Sequence, residues 1–158
     1  MLSIYLNDHL GGATGGLELA RRAAASQRDS VHGPELALLA DEIAEDREDL
    51  LGLMEALDVT VQHYKVGAGW LLEKVGRLKL NGYWVSRSPL SSLIELEGLL
   101  LGVTGKGALW RSLRAQAESD TRLDAAELDR LVARAEDQRG RLEEMRLQTS
   151  VEVLSLPV

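Results

Sequence analysis

The chain has 158 residues, 45% of them hydrophobic, and a formal net charge of −7. These values fit one soluble globular domain, residues 1–158, and exclude a disordered chain. The acidity argues against nucleic acid or an anionic membrane as the main partner, and the lack of cysteine excludes disulfides, thiolate metal sites and a thiol nucleophile.

Phenylalanine is absent and aromatic residues make up only 4%, so Leu, Ala and Val must build the core, which suits closely packed helices. The opening MLSIYLNDHL lacks the basic and apolar regions of a signal peptide. No run of about 18 apolar residues occurs, and the default location is the cytoplasm.

Residues 3 to 28 read as the first helix, with a seam of Leu2, Tyr5, His9, Ala13, Gly16, Ala20 and Ala23. Gly12, Gly16, Ala20 and Ala24 form a ladder of small residues. Glycine inside a helix costs up to ~1 kcal/mol relative to alanine, so the ladder predicts that another helix or a ligand comes close there. After a turn at 30–33, Pro34 and Glu35 suit a helix start. The second helix then runs to about Leu57, with Leu36, Leu39, Ile43, Asp46, Leu50, Leu53 and Leu57 as its seam. Asp46 stands where the pattern asks for leucine. Nine acids, at 35, 41, 42, 45, 46, 48, 49, 55 and 58, stand against one base, Arg47.

Residues 61 to 80 read as a shorter helix crossing between the long pairs, with the stripe Lys65, Ala68, Leu71, Leu72, Val75 and Leu78. From His63 to Arg87 five bases accompany one acid, Glu73, which makes this segment the electrostatic complement of the second helix. Tyr83 and Trp84 follow in a loop and are candidates for a contact surface. Ser88 and Pro89 then open the third long helix, to about Arg114. It holds the most apolar stretch of the chain, LIELEGLLLGVTGKGALW, residues 93–110. Asp124-x-x-Glu127, flanked by Leu123 and Leu128, is a capping box with a hydrophobic staple. It starts a fourth helix, Ala125 to about Thr149, with the seam Leu128, Leu131, Ala135, Gln138, Leu142 and Met145. The tail VEVLSLPV is expected to extend that helix or dock on a neighbour.

Two long helical pairs separated by a crossover predict an all-α fold, an antiparallel four-helix bundle with an additional helical crossover between the second and third long helices. In helix order and length the chain resembles the ferritin-like superfamily over essentially its whole length. The phrases YLNDHLGGATGGLELARR and LSSLIELEGLLLGVTGK are similar to an uncharacterised bacterial ferritin-like group. The resemblance implies a di-iron ligand pattern of one Glu from each of two helices and Glu-x-x-His from each of the others. Glu18 matches on the first helix and Glu95 or Glu97 on the third. The second helix has Glu42-x-x-Glu45 and the fourth has Glu136-x-x-Arg139, so both histidine positions depart from the pattern.

His9, Asp46, Glu97 and Gln138 read as interior polar groups, one per long helix, while Glu95 reads as solvent-facing. A buried hydrogen-bonded network that fixes helix register is the plainer account. The alternative is a metal site of His9, Glu18, Asp46 and Glu97, whose oxygen and imidazole donors would suit iron or manganese. No phosphate loop, His-Glu-x-x-His or nucleophile elbow occurs. The leading expectation is therefore a non-catalytic bundle without a cofactor, acting by self-association as a homodimer or higher homo-oligomer, or by protein binding. A metal-binding protein or oxidoreductase with an atypical ligand set is the alternative, and a small apolar ligand in the glycine notch between the first and third long helices is a third possibility.

Overall fold

The computed structural model describes residues 1–62 and 88–155. The expected crossover helix, its loop with Tyr83 and Trp84, and the last three residues lie outside the described residues. Four helices make up the described chain, with no strand among them: α1 (Leu2–Ser26), α2 (Gly33–Ala56), α3 (Pro89–Gln116) and α4 (Ala125–Leu154). The all-α expectation holds. None of these helices is long and apolar enough to cross a membrane.

α1 packs on α2 and on α3, and α3 packs on α4. Tyr5 Oη donates to Ser112 Oγ at 3.5 Å, and Gly98 lies beside Leu19, so α1 and α3 run antiparallel. Ile43 clusters with Val103 and Leu50 with Leu109, so α2 and α3 run the same way. The chain therefore leaves α2 at one end of the bundle and enters α3 at the other.

Helix ends follow local rules. The Asp124 carboxylate accepts from the backbone N–H groups of Ala126 at 2.9 Å and Glu127 at 3.3 Å, and the staple residues Leu123 and Leu128 are buried together. α2 ends in a Schellman motif. The N–H of Val59 reaches the Met54 carbonyl at 2.8 Å and that of Asp58 the Glu55 carbonyl at 3.0 Å. Asp58 holds the left-handed φ of 56° that glycine usually supplies there. Buried Asn7 then ties the departing chain to α1. Its amide donates to the Ser3 and Thr60 carbonyls and its carbonyl oxygen accepts from Gln62 N–H.

The α2 and α4 seams match expectation, except that Met54 is fully buried where Leu53 was expected. The α1 seam matches only at its C-terminal end, where Ala20 and Ala23 are buried. Leu6, Leu10 and Leu17 are buried, whereas Leu2 and Tyr5 are exposed and His9 is half-buried. Small residues carried the expected seam, but the larger apolar area of the leucines sets which face turns inward. The tail extends α4 to Leu154 with Val151 and Leu154 exposed.

The core falls into two apolar halves. One gathers Leu17, Leu36, Leu39, Ile43, Leu96, Leu99, Val103 and Leu142. The other gathers Leu6, Leu10, Leu50, Met54, Leu109, Trp110, Leu128, Leu131 and Ala135. Between them lies a polar layer, and the candidate site is at that level.

Candidate functional site

Asp46 of α2, Lys106 of α3 and Gln138 of α4 meet in the bundle interior, with Asp46 2% exposed and Gln138 fully buried. Lys106 Nζ donates to Asp46 Oδ2 and to Gln138 Oε1. Gln138 Nε2 donates to Asp46 Oδ2 and to Glu42 Oε2, both at 3.1 Å. Arg134 Nε completes the shell on Asp46 Oδ1 at 2.8 Å. Burial lowers the Lys106 ammonium pKa against the opposing pull of Asp46.

From this layer an ion-pair seam runs between α2 and α4. Arg134 also pairs with Glu45 and Asp49, and Arg141 pairs with Glu35, Glu42 and Asp137. The acids of α2 are thus complemented by the arginines of α4. The sequence reading gave that role to the crossover, which lies outside the described residues, and missed a visible signal on α4: Arg130, Arg134 and Arg141 each precede a seam residue, Leu131, Ala135 and Leu142.

The remaining helix, α1, meets this layer with small residues. α1 places Gly12, Ala13 and Gly16 opposite Gly98, Gly102 and Gly105 of α3, and a cavity of about 340 Å³ opens between them. Its walls are mostly apolar, from Ile43, Leu50, Leu99, Val103, Leu109 and Trp110, with the Asp46–Lys106 pair, Arg47, Tyr5, Asp8 and His9 as polar edges. A methyl group added at Gly12, Gly16, Gly102 or Gly105 would meet no atom within 4 Å. Those glycines do not bring helices into contact; they hold a space open. Gly98 is the exception, since a Cβ there would come 3.1 Å from Leu19 Cδ2. The expected notch is present, but a close helix crossing does not fill it.

The four candidate metal ligands do not share a site. Asp46 is enclosed by Lys106, Arg134 and Gln138. His9 lines the cavity and packs edge-on against Tyr5, ring centroids 4.6 Å apart, and burial lowers its pKa. Glu18 is exposed on the far side of α1. Glu97 is 49% exposed, 3.9 Å from Arg146, and the buried carboxylate is Glu95, which reaches Arg22 at 3.6 Å. The two exchange roles because α3 turns Leu96 and Leu99 inward, which carries Glu95 to the edge of the α1 contact. Among the described residues no group of three or more His, Asp or Glu side chains could hold a metal ion. The donor chemistry does not fit a di-iron centre, because Lys106 and Arg134 stand against the Asp46 carboxylate and Arg22 against that of Glu95.

No protein-family model, no curated protein and no solved structure matches the chain.

Proposed function

We propose that this chain is a non-catalytic, ferritin-like four-helix bundle whose interior ion pairs take the place of a metal centre, and that it works by holding a small apolar molecule in the α1–α3 cleft. The helix order, the shared direction of α2 and α3, and the joining of opposite bundle ends support the ferritin-like reading. The observation that carries the binding reading is the open space at four helical glycines facing a largely apolar cavity. Ligand sites are typically concave, mostly apolar and equipped with a few placed polar groups. An apolar cavity of about 150 Å³ already stays dry and takes benzene, so the present one suits a bicyclic molecule.

The test is titration of the purified protein with naphthalene, read by calorimetry and by the rise in melting temperature. Saturable binding that is lost in Gly16→Leu and Gly102→Leu, with both variants folded, is the expected result. Unchanged binding in those variants would place the ligand elsewhere and refute the reading.

A further inference from the structure

We propose that His9 makes this cleft a pH-sensitive site, whose affinity for an apolar guest falls when the imidazole takes up a proton. The inference rests on the reading of the cleft as an apolar-ligand site and adds its regulation.

His9 stands on the cleft wall toward one end of it. Tyr5, one turn earlier on α1, reaches across to Ser112 of α3 at 3.5 Å. Gly12, one turn later, borders the open space. The Tyr5 and His9 rings meet edge to face, centroids 4.6 Å apart and planes at 73°. His9 is half-buried, so part of its surface still meets water. Burial already lowers its pKa, against the opposing pull of Asp8. An apolar guest takes space that water would otherwise occupy beside the ring, and it offers no acceptor to an imidazolium. The charged form therefore loses more on binding than the neutral form. The coupling is reciprocal: the guest lowers the His9 pKa further, and protonation weakens the guest by the same factor. Affinity is full above the His9 pKa of the free protein and falls as pH drops through it.

The other polar and charged groups on the wall come from three helices. α1 supplies Tyr5 and Asp8, α2 supplies Asp46 and Arg47, and α3 supplies Lys106. Asp46 is held by Lys106 and Arg134, while Arg47 donates to Thr14 Oγ1 and pairs with Glu48. Histidine is the side chain whose charge ordinarily changes between pH 5 and 8, and among the described residues His9 is the one histidine on this wall.

The experiment is calorimetric titration of the full-length protein with naphthalene between pH 5 and 8, over the range in which its circular dichroism is constant. Naphthalene has no titratable group, so any pH dependence belongs to the protein. The Kd is expected to be level near pH 8 and about fivefold higher at pH 5. Binding at the acid end should release protons, read as a heat that varies with the ionisation enthalpy of the buffer. NMR titration of the His9 imidazole should give a lower midpoint with naphthalene than without, and His9→Gln should bind with no pH dependence. Should that variant not fold, the proton release and the paired NMR titrations of the unmodified protein decide. Equal affinity at pH 5 and 8, or a His9 midpoint that naphthalene leaves in place, would overturn the inference and leave the cleft standing as an apolar site. A pH dependence that persists in His9→Gln would assign it to another group on the wall and overturn the role of His9. Absence of binding at every pH would overturn the cleft reading and this inference with it.

Discussion

Replacing Gly12, Gly16, Gly102 and Gly105 together by alanine should stabilise the fold and weaken ligand binding at the same time. Each glycine lies within a regular helix, and none has positive φ. The added methyl meets no atom within 4 Å at any of the four positions. Alanine restricts the unfolded chain and loses nothing in the folded one, worth about 0.5–1 kcal/mol per site. Four such sites sum to about 2–4 kcal/mol if they act independently. For a chain of this length that raises the melting temperature by about 4–16 °C. Gly52 and Gly140 also have open surroundings but do not line this cavity, so alanine there should give the same gain per site without touching binding. Thermal melts with and without naphthalene separate the effects. Lower melting temperatures for the cleft variants, alongside raised ones at Gly52 and Gly140, would mean that the space is filled, and would refute the account of these glycines as keepers of a cavity.

Asp46→Ala removes the carboxylate that faces both Lys106 and Arg134 and should cost about 3–5 kcal/mol in urea denaturation, with part of the loss recovered when Lys106→Met is added. Asp58→Gly should stabilise the chain by about 1 kcal/mol by relieving the left-handed backbone, since the ion pair it gives up, Asp58 with Arg122 at 3.7 Å, is exposed. Hydrogen bonds from Arg122 hold the Asp120 carboxyl at a pKa of about 2 against 3.8. NMR titration should show that midpoint, and Arg122→Ala should return it upward. His9 should titrate below 6.5 because burial disfavours its charged form. In the window between its folded value and 6.5 the unfolded chain binds more protons, so stability contributed by neutral His9 is lost as pH falls through that window, and His9→Gln should flatten this part of the stability profile.

The elements were legible because apolar periodicity and caps agreed. Asp124-x-x-Glu127 with Leu123 and Leu128 marks the start of α4 to the residue, and Asp46 and Gln138 stand out as polar interruptions of leucine seams that do lie inside. What failed was rotational phase on helices rich in small residues. In α1 and α3, Gly and Ala recur on several faces, so periodicity assigns Tyr5 and Glu97 to the interior as readily as Leu6 and Glu95. Pairing across helices was harder still. Lys106 finds its partner Asp46 60 residues away on α2, where no local spacing rule points. The useful signal was that Asp46 breaks the α2 seam and Lys106 is the only base within residues 93–109.

The polar layer and the cavity are two consequences of one arrangement. A four-helix core needs four side chains per layer, and at this level α2, α3 and α4 supply Asp46, Lys106 and Gln138 while α1 supplies Gly12, Ala13 and Gly16. Had α1 carried leucine there, the cavity beside the Asp46–Lys106 pair would be filled. Had α2 carried leucine in place of Asp46, the cavity wall would lose part of its polar edge. Replacing a buried ion pair by well-packed apolar residues is often neutral or stabilising, and glycine within a helix costs stability relative to alanine, so neither feature is explained by stability alone. Their coincidence beside one cavity supports the proposed reading of the cleft as a site for a small apolar molecule.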